Sequence, residues 1–334
     1  MIMIMIMIIE HLAEFMGTPA AIIYSFDLAT VASIIPAFAN RLDILVVDEC
    51  CAYPIQSGCT MSRAKVVTFK HNDCDDLERV LVRIEQQEKA ARRPLTRRWI
   101  IVEGIYANYG DMAPLDRIHA IKEKYKYRLL VEESFSFGVV GRTGRGACEH
   151  YGLQPKQVEV ICASMGNALA SVGGFCVGEK EVTEHQRLSG SGYCFSASLP
   201  PFLATAASAA IHHLRDQGRV LLPLLSAKSA QLRRELRKLT GLRVVGAEDS
   251  SPLIHLQLSK PLATEVESRA LLQRIADLAL QAPNGVLLGV SAYSLLDSHR
   301  PPPSLRLFAS TGWDDKAVAA VVAALRKGLK EAGL

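Results

Sequence analysis

The side chains in this sequence that could take part in chemistry are concentrated on short segments that follow apolar, strand-like runs. These segments cover residues 25–27, 48–52, 132–136 and 164–167. Their side chains include carboxylates, hydroxyls, thiols and one carboxamide, that of Asn167. A carboxamide has no nucleophilic amine, so Asn167 can form hydrogen bonds but is not a nucleophile.

Asp27 follows Ser25 and Phe26 at the start of a helical stretch. A carboxylate at a helix start caps the helix by accepting backbone N–H groups. The same carboxylate repels a phosphate that would otherwise bind those N–H groups. The segment therefore predicts a stable helix start and weak anion binding.

Histidine spacing does not predict a metal site. Among the 9 histidines, only His212 and His213 lie close together in sequence. Adjacent residues on a helix point in different directions and lack the i, i+4 geometry by which two histidines share one ion.

The elements that must position these segments form an α/β pattern, because short β-rich runs alternate with amphipathic stretches. Strands are predicted at residues 20–25, 43–49, 64–70, 97–106, 128–134, 158–164 and 173–178. Helices are predicted at residues 73–93, where acids come first and bases last, and at 115–127, entered through Pro114. The pattern indicates a mostly parallel sheet covered by helices.

The remainder of the chain follows a different pattern. Residues 200–239 predict two long helices separated near Gln217 and Gly218. Strand-like runs at 242–248, 252–259, 285–293 and 304–311 then accompany helices at about 263–281 and 314–332. We therefore predict a large domain over residues 1–239, connecting helices included, and a small C-terminal α+β domain over 240–334.

Composition restricts the class of protein. The chain has 334 residues, 49% hydrophobic content, 6% aromatic content and a net charge of +4, which predicts a folded globular protein and disfavours nucleic acid as a partner. The 8 cysteines lack CxxC spacing, so we expect reduced and mostly buried thiols. The apolar start, MIMIMIMII, is shorter than the roughly 20 residues of a bilayer span. We interpret it as an odd or truncated start that runs into a helix.

Three segments carry a family resemblance: VEGIYANYGDMAPL (102–115), EESFSFG (132–138) and YCFSASLPP (193–201). They resemble the α-oxoamine synthase family of pyridoxal-phosphate-dependent enzymes, and within it the lysine-less subunits of the serine palmitoyltransferases. The resemblance implies a fold-type-I pyridoxal-phosphate transferase whose large domain lacks the family's N-terminal part.

The resemblance assigns positions to the cofactor machinery. The family's Thr-x-x-Lys turn before Gly-Gly corresponds to Ser164-Met165-Gly166-Asn167, so Asn167 stands where the lysine would be. Glu132 replaces the aspartate that faces the pyridine nitrogen. Phe135 replaces a histidine, and a phenyl ring offers no hydrogen-bond donor. Without a cofactor, Phe135 is expected to be an ordinary core aromatic.

Two more positions depart from the family pattern. Ala52 replaces the histidine that stacks on the cofactor ring, and Asp27 lies where the family's phosphate-cup helix begins. The nearest lysines, Lys156 and Lys180, lie outside the turn and are interpreted as surface charges. The chain is thus expected to keep the fold, to lose the chemistry and to be inactive alone.

In the family, protomers share active sites at a dimer interface. The resemblance therefore implies pyridoxal 5'-phosphate bound through a lysine-bearing partner subunit, with the pair condensing L-serine and palmitoyl-CoA into 3-ketodihydrosphingosine. Ser196 either approaches the partner's cofactor or caps the helix beginning at Pro200. Arg306 either meets a substrate carboxylate or is a strand-edge arginine with its head in solvent.

The resemblance further implies a location at the cytosolic face of the endoplasmic reticulum membrane, with membrane contact made by a partner or by a missing N-terminal helix. It also implies small regulatory membrane subunits as further partners. Two alternatives stay open. One is a self-sufficient homodimeric α-oxoamine synthase that uses another lysine, and the other is a pure scaffold.

Overall fold

A computed structural model describes residues 2–92, 94–246, 250–291, 293 and 299–334. The chain divides into two compact units. The first contains Met1–Tyr106 and Met112–Arg219, and the second contains Ala107–Asp111 and Val220–Leu334.

The first unit is built on a seven-stranded sheet, and all the strands predicted for this part of the chain are present. They are β1 (Ala20–Tyr24), β2 (Ile44–Asp48), β3 (Lys65–Phe69), β4 (Arg98–Glu103), β5 (Arg128–Glu132), β6 (Val160–Ser164) and β7 (Gly174–Gly178). Their order across the sheet is β1-β7-β6-β5-β4-β2-β3.

Strand direction brings the candidate segments to one edge of this sheet. Strands β2 to β6 are mutually parallel, whereas β7 is antiparallel to both β6 and β1. Because two reversals restore the direction, β1 also runs parallel to β6. The carboxyl ends of β1, β2, β4, β5 and β6 therefore share an edge, which is where ligands bind in open α/β sheets.

Helices of the first unit follow the predicted pattern. They are α1 (Ile2–Met16), α2 (Asp27–Phe38), α3 (Tyr53–Ser62), α4 (Cys74–Ala90), α5 (Leu115–Tyr125), α6 (Ala147–His150), α7 (Lys180–Ser189) and α8 (Ser191–Cys194). Helix α4 begins where the Asp73 carboxylate accepts the N–H of Asp76 at 2.8 Å. The two helices predicted in this region, α4 and α5, are confirmed to within a few residues at each end.

The prediction of two helices after residue 200 was wrong. Residues Pro201–Leu236 form one continuous helix, α9, which includes Gly218 and Pro223. A glycine inside a helix costs only about 1 kcal/mol relative to alanine, and the buried side chains of Ile211, Leu222 and Leu232 support the helix on both sides of Gly218. The units divide within α9, after Arg219, which is earlier than the boundary at residue 239 expected from the sequence.

The second unit is the α+β fold that the sequence predicts. Strands β8 (Leu242–Val244), β9 (Leu253–Leu258), β10 (Gly289–Val290) and β11 (Ser304–Phe308) form a sheet in the order β10-β11-β9-β8. Helices α10 (Glu265–Leu280) and α11 (Asp315–Ala332) enclose with it an apolar core. Residues Ala107–Asp111 belong to this unit, and His255 Nε2 lies 3.0 Å from the carbonyl oxygen of Ala107.

The cysteines are free thiols, and all except the exposed Cys194 are buried, as predicted. In the part of the chain that the structure describes, no helix combines the length and the apolar character that crossing a bilayer requires.

Candidate functional site

A pair of buried acids lies at the shared edge of the sheet. Glu103 and Glu132 end neighbouring strands and face each other in the register of β4 and β5. Burial raises the pKa of Glu132 to about 8, and the charge of Glu103 adds to that rise. The N–H of Ser134, at 3.2 Å, and the hydroxyl of Ser134 both donate to Glu132 Oε1, and these hydrogen bonds oppose the rise of the pKa. A cationic ring placed beside this carboxylate would lower its pKa again, so the raised pKa does not by itself exclude a pyridinium partner.

The neighbouring acid, Glu133, has a structural role. Its side chain is fully buried and accepts the backbone N–H groups of Ala147 at 2.8 Å and Cys148 at 2.9 Å. The hydroxyl of Ser136 donates to it as well. These contacts tie Glu133 to the start of α6, so Glu132 is the acid of this strand end that could meet a ligand.

The turn after β6 carries Asn167. The Ser164 hydroxyl accepts the N–H of Gly166 at 2.8 Å and so shapes the turn, and the N–H of Ser164 donates to Ser134 Oγ at 2.7 Å. Asn167 is exposed, and its Nδ2 donates to the carbonyl oxygen of Ser134 at 2.7 Å. Residue 167 thus lies beside the end of β5 that carries Glu132, with an amide in place of an amine.

Asp27, the first residue of α2, lies against the same turn. A side-chain carbon at Gly166 would come within 2.9 Å of Asp27 Oδ2. Asp27 is exposed, but the surrounding protein still desolvates its carboxylate enough to raise its pKa. Hydrogen bonds from the Ser164 side chain and the Gly173 backbone oppose that rise. The predicted capping by Asp27 is wrong, because the N-cap of α2 is Phe26 and the helix start has no side-chain capping hydrogen bond. A phosphate at this helix start would still meet the carboxylate of Asp27.

Positions 52 and 135 each lack the group that the resemblance leads one to expect. Ala52 has no ring to stack on a cofactor, and Phe135 has no hydrogen-bond donor. Ala52 is the N-cap of α3, and its N–H donates to Glu103 Oε1 at 2.5 Å. A methyl group has no ring face to stack on a planar ligand. Phe135 is half-buried, which contradicts the expectation of a core aromatic, because the buried phenyl ring of this segment belongs to Phe137.

Ser196 lines a cavity of about 380 Å³ between the N-terminal part of α1, the end of β1 and residues 193–199. Its hydroxyl donates to the carbonyl oxygen of Gly192 at 2.7 Å. Ser196 lies five residues before α9 begins at Pro201, too far along the chain to be its N-cap residue. The hydroxyl of Ser25 donates to Ala197 O at 2.6 Å and joins the segments on either side of this cavity. Neighbouring Phe195 is 90% exposed.

Arg306 lies in the second unit, on β11. It is exposed, and its guanidinium lies 5.6 Å from the centre of the Phe308 ring. Strand β11 pairs with β9 on one side and β10 on the other. The alternative prediction of an arginine on a sheet-edge strand is therefore wrong. Its contact with a substrate carboxylate stays a prediction.

Sequence reasoning missed a polar network around Asp48. Its carboxylate accepts from the N–H groups of Cys50 and Asn72 and from the hydroxyl of Tyr106, each at 2.9 Å, and lies 3.0 Å from His71 Nδ1. Asp48, Cys50 and His71 bring ligand-type atoms within 4.8 Å of one another. Because four hydrogen bonds already use both carboxylate oxygens, we interpret the group as structural. Asp48 and Cys50 lie at the end of β2, whereas His71 follows β3, so sequence spacing alone did not bring the group together.

The described residues at this edge do not fit a covalently held pyridoxal phosphate. The turn after β6 presents an exposed amide instead of an amine, Ala52 offers no ring to stack on the cofactor, and a carboxylate lies at the helix start. Lys156 and Lys180 are exposed on other segments. The edge keeps the shape of a ligand site but not the groups that bind such a cofactor.

The model of the family described as aminotransferase class I and II matches residues 6–325. The chain therefore belongs to this family, and its first unit has the fold of the pyridoxal-phosphate-dependent aminotransferases of fold type I.

More specific likenesses agree with the family. The chain is 43% identical over 318 residues to long chain base biosynthesis protein 1c of rice, Oryza sativa subsp. japonica, covering 95% of this chain and 65% of that protein. It is 39% identical to serine palmitoyltransferase 1 of Dictyostelium discoideum, covering 94% and 66% respectively. It thus spans slightly less than two thirds of these relatives. A solved structure of Sphingomonas wittichii serine palmitoyltransferase matches with a TM-score of 0.85 and 25% identity, over 99% of this chain and 77% of that one.

Proposed function

We propose that this chain is the lysine-less subunit of a serine palmitoyltransferase. In this proposal it supports the condensation of L-serine with palmitoyl-CoA to 3-ketodihydrosphingosine, the first step of sphingolipid synthesis, and is inactive alone. The observation that carries the proposal is the exposed amide of Asn167, hydrogen-bonded to Ser134 O at 2.7 Å, at the position that the resemblance assigns to the catalytic lysine. The names of the relatives in rice and Dictyostelium support the reaction class.

The partner in this proposal is a lysine-bearing second subunit, which holds pyridoxal 5'-phosphate for the complex. Exposed aromatic side chains on the first unit support an assembly, since large apolar groups on a surface commonly mark an interface. Phe26 is 58% exposed, Phe195 90% and Phe202 70%. The Ser25 to Ala197 hydrogen bond joins the segments on which Phe26 and Phe195 lie.

The proposed place of action is the cytosolic face of the endoplasmic reticulum membrane, with contact made by the partner, by small regulatory membrane subunits or by a segment outside this sequence. Fractionation of cells that express the chain with and without its partner tests this part. We expect membrane association that depends on the partner. Equal membrane association without a partner would contradict it.

Co-expression with a lysine-bearing partner tests the proposed function directly. We expect the partner to co-purify with this chain, and the purified pair to condense L-serine with palmitoyl-CoA while this chain alone does not. Failure to co-purify under conditions in which both chains are folded would contradict the subunit assignment. Activity of this chain alone would favour the self-sufficient enzyme instead.

A scaffold role is the second candidate, and one contact favours it. The hydroxyl of Ser196 is already used by Gly192 O, so it need not serve a cofactor on the partner. Ser196→Trp in the co-expressed pair separates the two roles, with Thr205→Trp, an exposed position on α9, as the matched control. Lost activity with intact assembly supports a contribution to the shared site, whereas unchanged activity supports the scaffold.

A further inference from the structure

The loop that joins α10 to β10 carries the dipeptide Asn284-Gly285. Helix α10 ends at Leu280 and β10 begins at Gly289, so the dipeptide lies outside both elements. Asn284 lies in a turn, and both residues of the dipeptide are exposed. Exposed loop tips open locally more readily than helices and strands do.

Packing requires glycine at position 285. A side-chain carbon there would lie 2.3 Å from the carbonyl oxygen of Leu280, at the end of α10. Because that oxygen belongs to the backbone, it could not give way as a flexible side chain does. The fold therefore keeps a residue without a Cβ directly after Asn284.

This dipeptide suits a reaction in which the backbone nitrogen after an asparagine attacks the side-chain carboxamide. A bond forms between Gly285 N and Asn284 Cγ, the bond between Cγ and Nδ2 breaks, and ammonia leaves with the proton of the Gly285 N–H. Water then opens the resulting succinimide at either carbonyl carbon and gives aspartate or isoaspartate, with no change of oxidation state. A side chain on the following residue crowds the attack, whereas glycine has no Cβ and a permissive backbone.

The other asparagines of the chain are less suited to this reaction. Each is followed by a residue that has a Cβ, and Asn108 precedes the bulky Tyr109. Hydrogen bonds of 2.7 to 3.1 Å also hold three of their side chains: Asn40 Oδ1 with Leu42 N, Asn72 Nδ2 with Met112 O, and Asn167 Nδ2 with Ser134 O.

We propose that Asn284 is a site of spontaneous covalent modification, at which cyclisation with Gly285 converts the asparagine into isoaspartate and aspartate. Isoaspartate leads the main chain through one additional carbon atom. Both products place a new carboxylate on the loop, which is negatively charged at neutral pH.

The modification also has a structural consequence, because the loop is short and anchored on both sides of the dipeptide. The N–H of Val286 donates to Ala279 O at 3.2 Å, and Leu288 is buried in the apolar core of the second unit. A lengthened main chain between α10 and Val286 disturbs these anchors. We therefore expect isoaspartate at position 284 to lower the stability of the second unit.

Ageing of the purified chain at pH 6 and pH 8 tests the proposal, followed by peptide mass mapping. Electron-transfer fragmentation and methylation by a protein isoaspartate methyltransferase distinguish isoaspartate from aspartate. We expect the mass gain of replacing NH₂ by OH at Asn284 before any other asparagine, mostly as isoaspartate. It should be faster at pH 8, because the attacking nitrogen must lose its proton.

Asn284→Gln should stay unmodified at this position, since glutamine would have to close a larger and less favourable ring. Asn40→Gln, at an exposed position, is the matched control and should age at Asn284 as the parent does. The melting temperature should fall on ageing in the parent and in this control, but not in Asn284→Gln.

Three results would overturn the proposal. One is an unmodified Asn284 after ageing at pH 8, and another is modification of Asn40 or Asn108 as fast as that of Asn284. The third is aspartate as the sole product, which would exclude the succinimide. An equal fall in melting temperature in Asn284→Gln and in the parent would contradict the predicted effect on the second unit.

Discussion

At the scale of single residues, a few side chains determine whether the carboxyl edge of the large sheet can bind a covalent cofactor. Asn167, Glu132 and Asp27 lie beside one another through contacts with Ser134 and Ser164. Each differs from the family pattern in a different respect: Asn167 lacks the amine, Glu132 is a longer acid than aspartate, and Asp27 places a carboxylate at the helix start. Changing one of these three residues back to the family's residue should therefore not restore cofactor binding.

Replacing the amide by an amine tests this reasoning. We expect Asn167→Lys in the isolated chain to remain inactive in serine and palmitoyl-CoA condensation, because Asp27 and Ala52 still disfavour the cofactor. Asn167→Ala is the control for folding. It should cost less than about 1 kcal/mol in the free energy of unfolding, since one exposed hydrogen bond contributes little. Condensation by the lysine variant alone, with none by the parent chain, would show that residue 167 by itself accounts for the difference.

The buried acid pair predicts a dependence of stability on pH. The pKa of Glu132 is about 8 in the folded chain against 4.5 ordinarily, so the folded state binds this proton more tightly than the unfolded state does. Its contribution to stability is therefore present at low pH and is lost as the pH rises through this range. The limiting slope is about 1.4 kcal/mol per pH unit.

Glu132→Gln removes that titration and keeps the shape of the side chain. The free energy of unfolding of the variant, relative to the parent, should rise between pH 5 and pH 8 when followed by urea denaturation at each pH. Glu10→Gln, at an exposed position on α1, controls for substitution of an acid elsewhere. A difference between variant and parent that stays constant with pH would contradict the assignment.

At the scale of elements, the sequence was a good guide wherever periodicity and capping agreed. Strand β5 was predicted from RLLVEES, and α4 from its acidic start at Asp73, because burial and caps act locally. Helix α9 was misjudged because tertiary packing along Ile211 and Leu222 outweighs the local cost of Gly218. The contacts of Asn167 and the approach of His71 to Asp48 depend on the packing of distant elements, which no local pattern reports.

One buried arginine holds elements of the second unit together. Arg233 on α9 is fully buried and donates to the carbonyl oxygens of Ser251 at 3.2 Å, Val245 at 3.3 Å and Leu253 at 2.7 Å. Arg233→Met leaves these acceptors without that donor. We expect it to lower the free energy of unfolding of this unit by roughly 3 kcal/mol.

The fluorescence of Trp313, which packs against the core of the second unit, reports its unfolding in urea. A Trp99→Phe background removes the other tryptophan of the chain. Arg234→Met, at the adjacent exposed position, is the matched control and should change stability by less than about 0.5 kcal/mol. Equal effects of the two substitutions would contradict the role given to Arg233.

At the scale of the whole molecule, the chain combines the family fold with an edge that does not fit a covalent cofactor. The match to the rice protein covers 95% of this chain but 65% of that protein. Exposed Phe195 and Phe202 lie close in sequence to Ser196, the residue at which Ser196→Trp tests a contribution to a shared site. The exposed aromatic side chains and the misfit to a covalent cofactor support the proposal that this chain works within a complex.

Borohydride trapping in the co-purified pair tests this account most directly. Reduction converts a cofactor Schiff base into a stable pyridoxyl-lysine, which peptide mass mapping then locates on one chain or the other. We predict stoichiometric label on a single lysine of the partner and none above background on any lysine of this chain. Stoichiometric label on a lysine of this chain would contradict the supporting role and identify the chain as an enzyme in its own right.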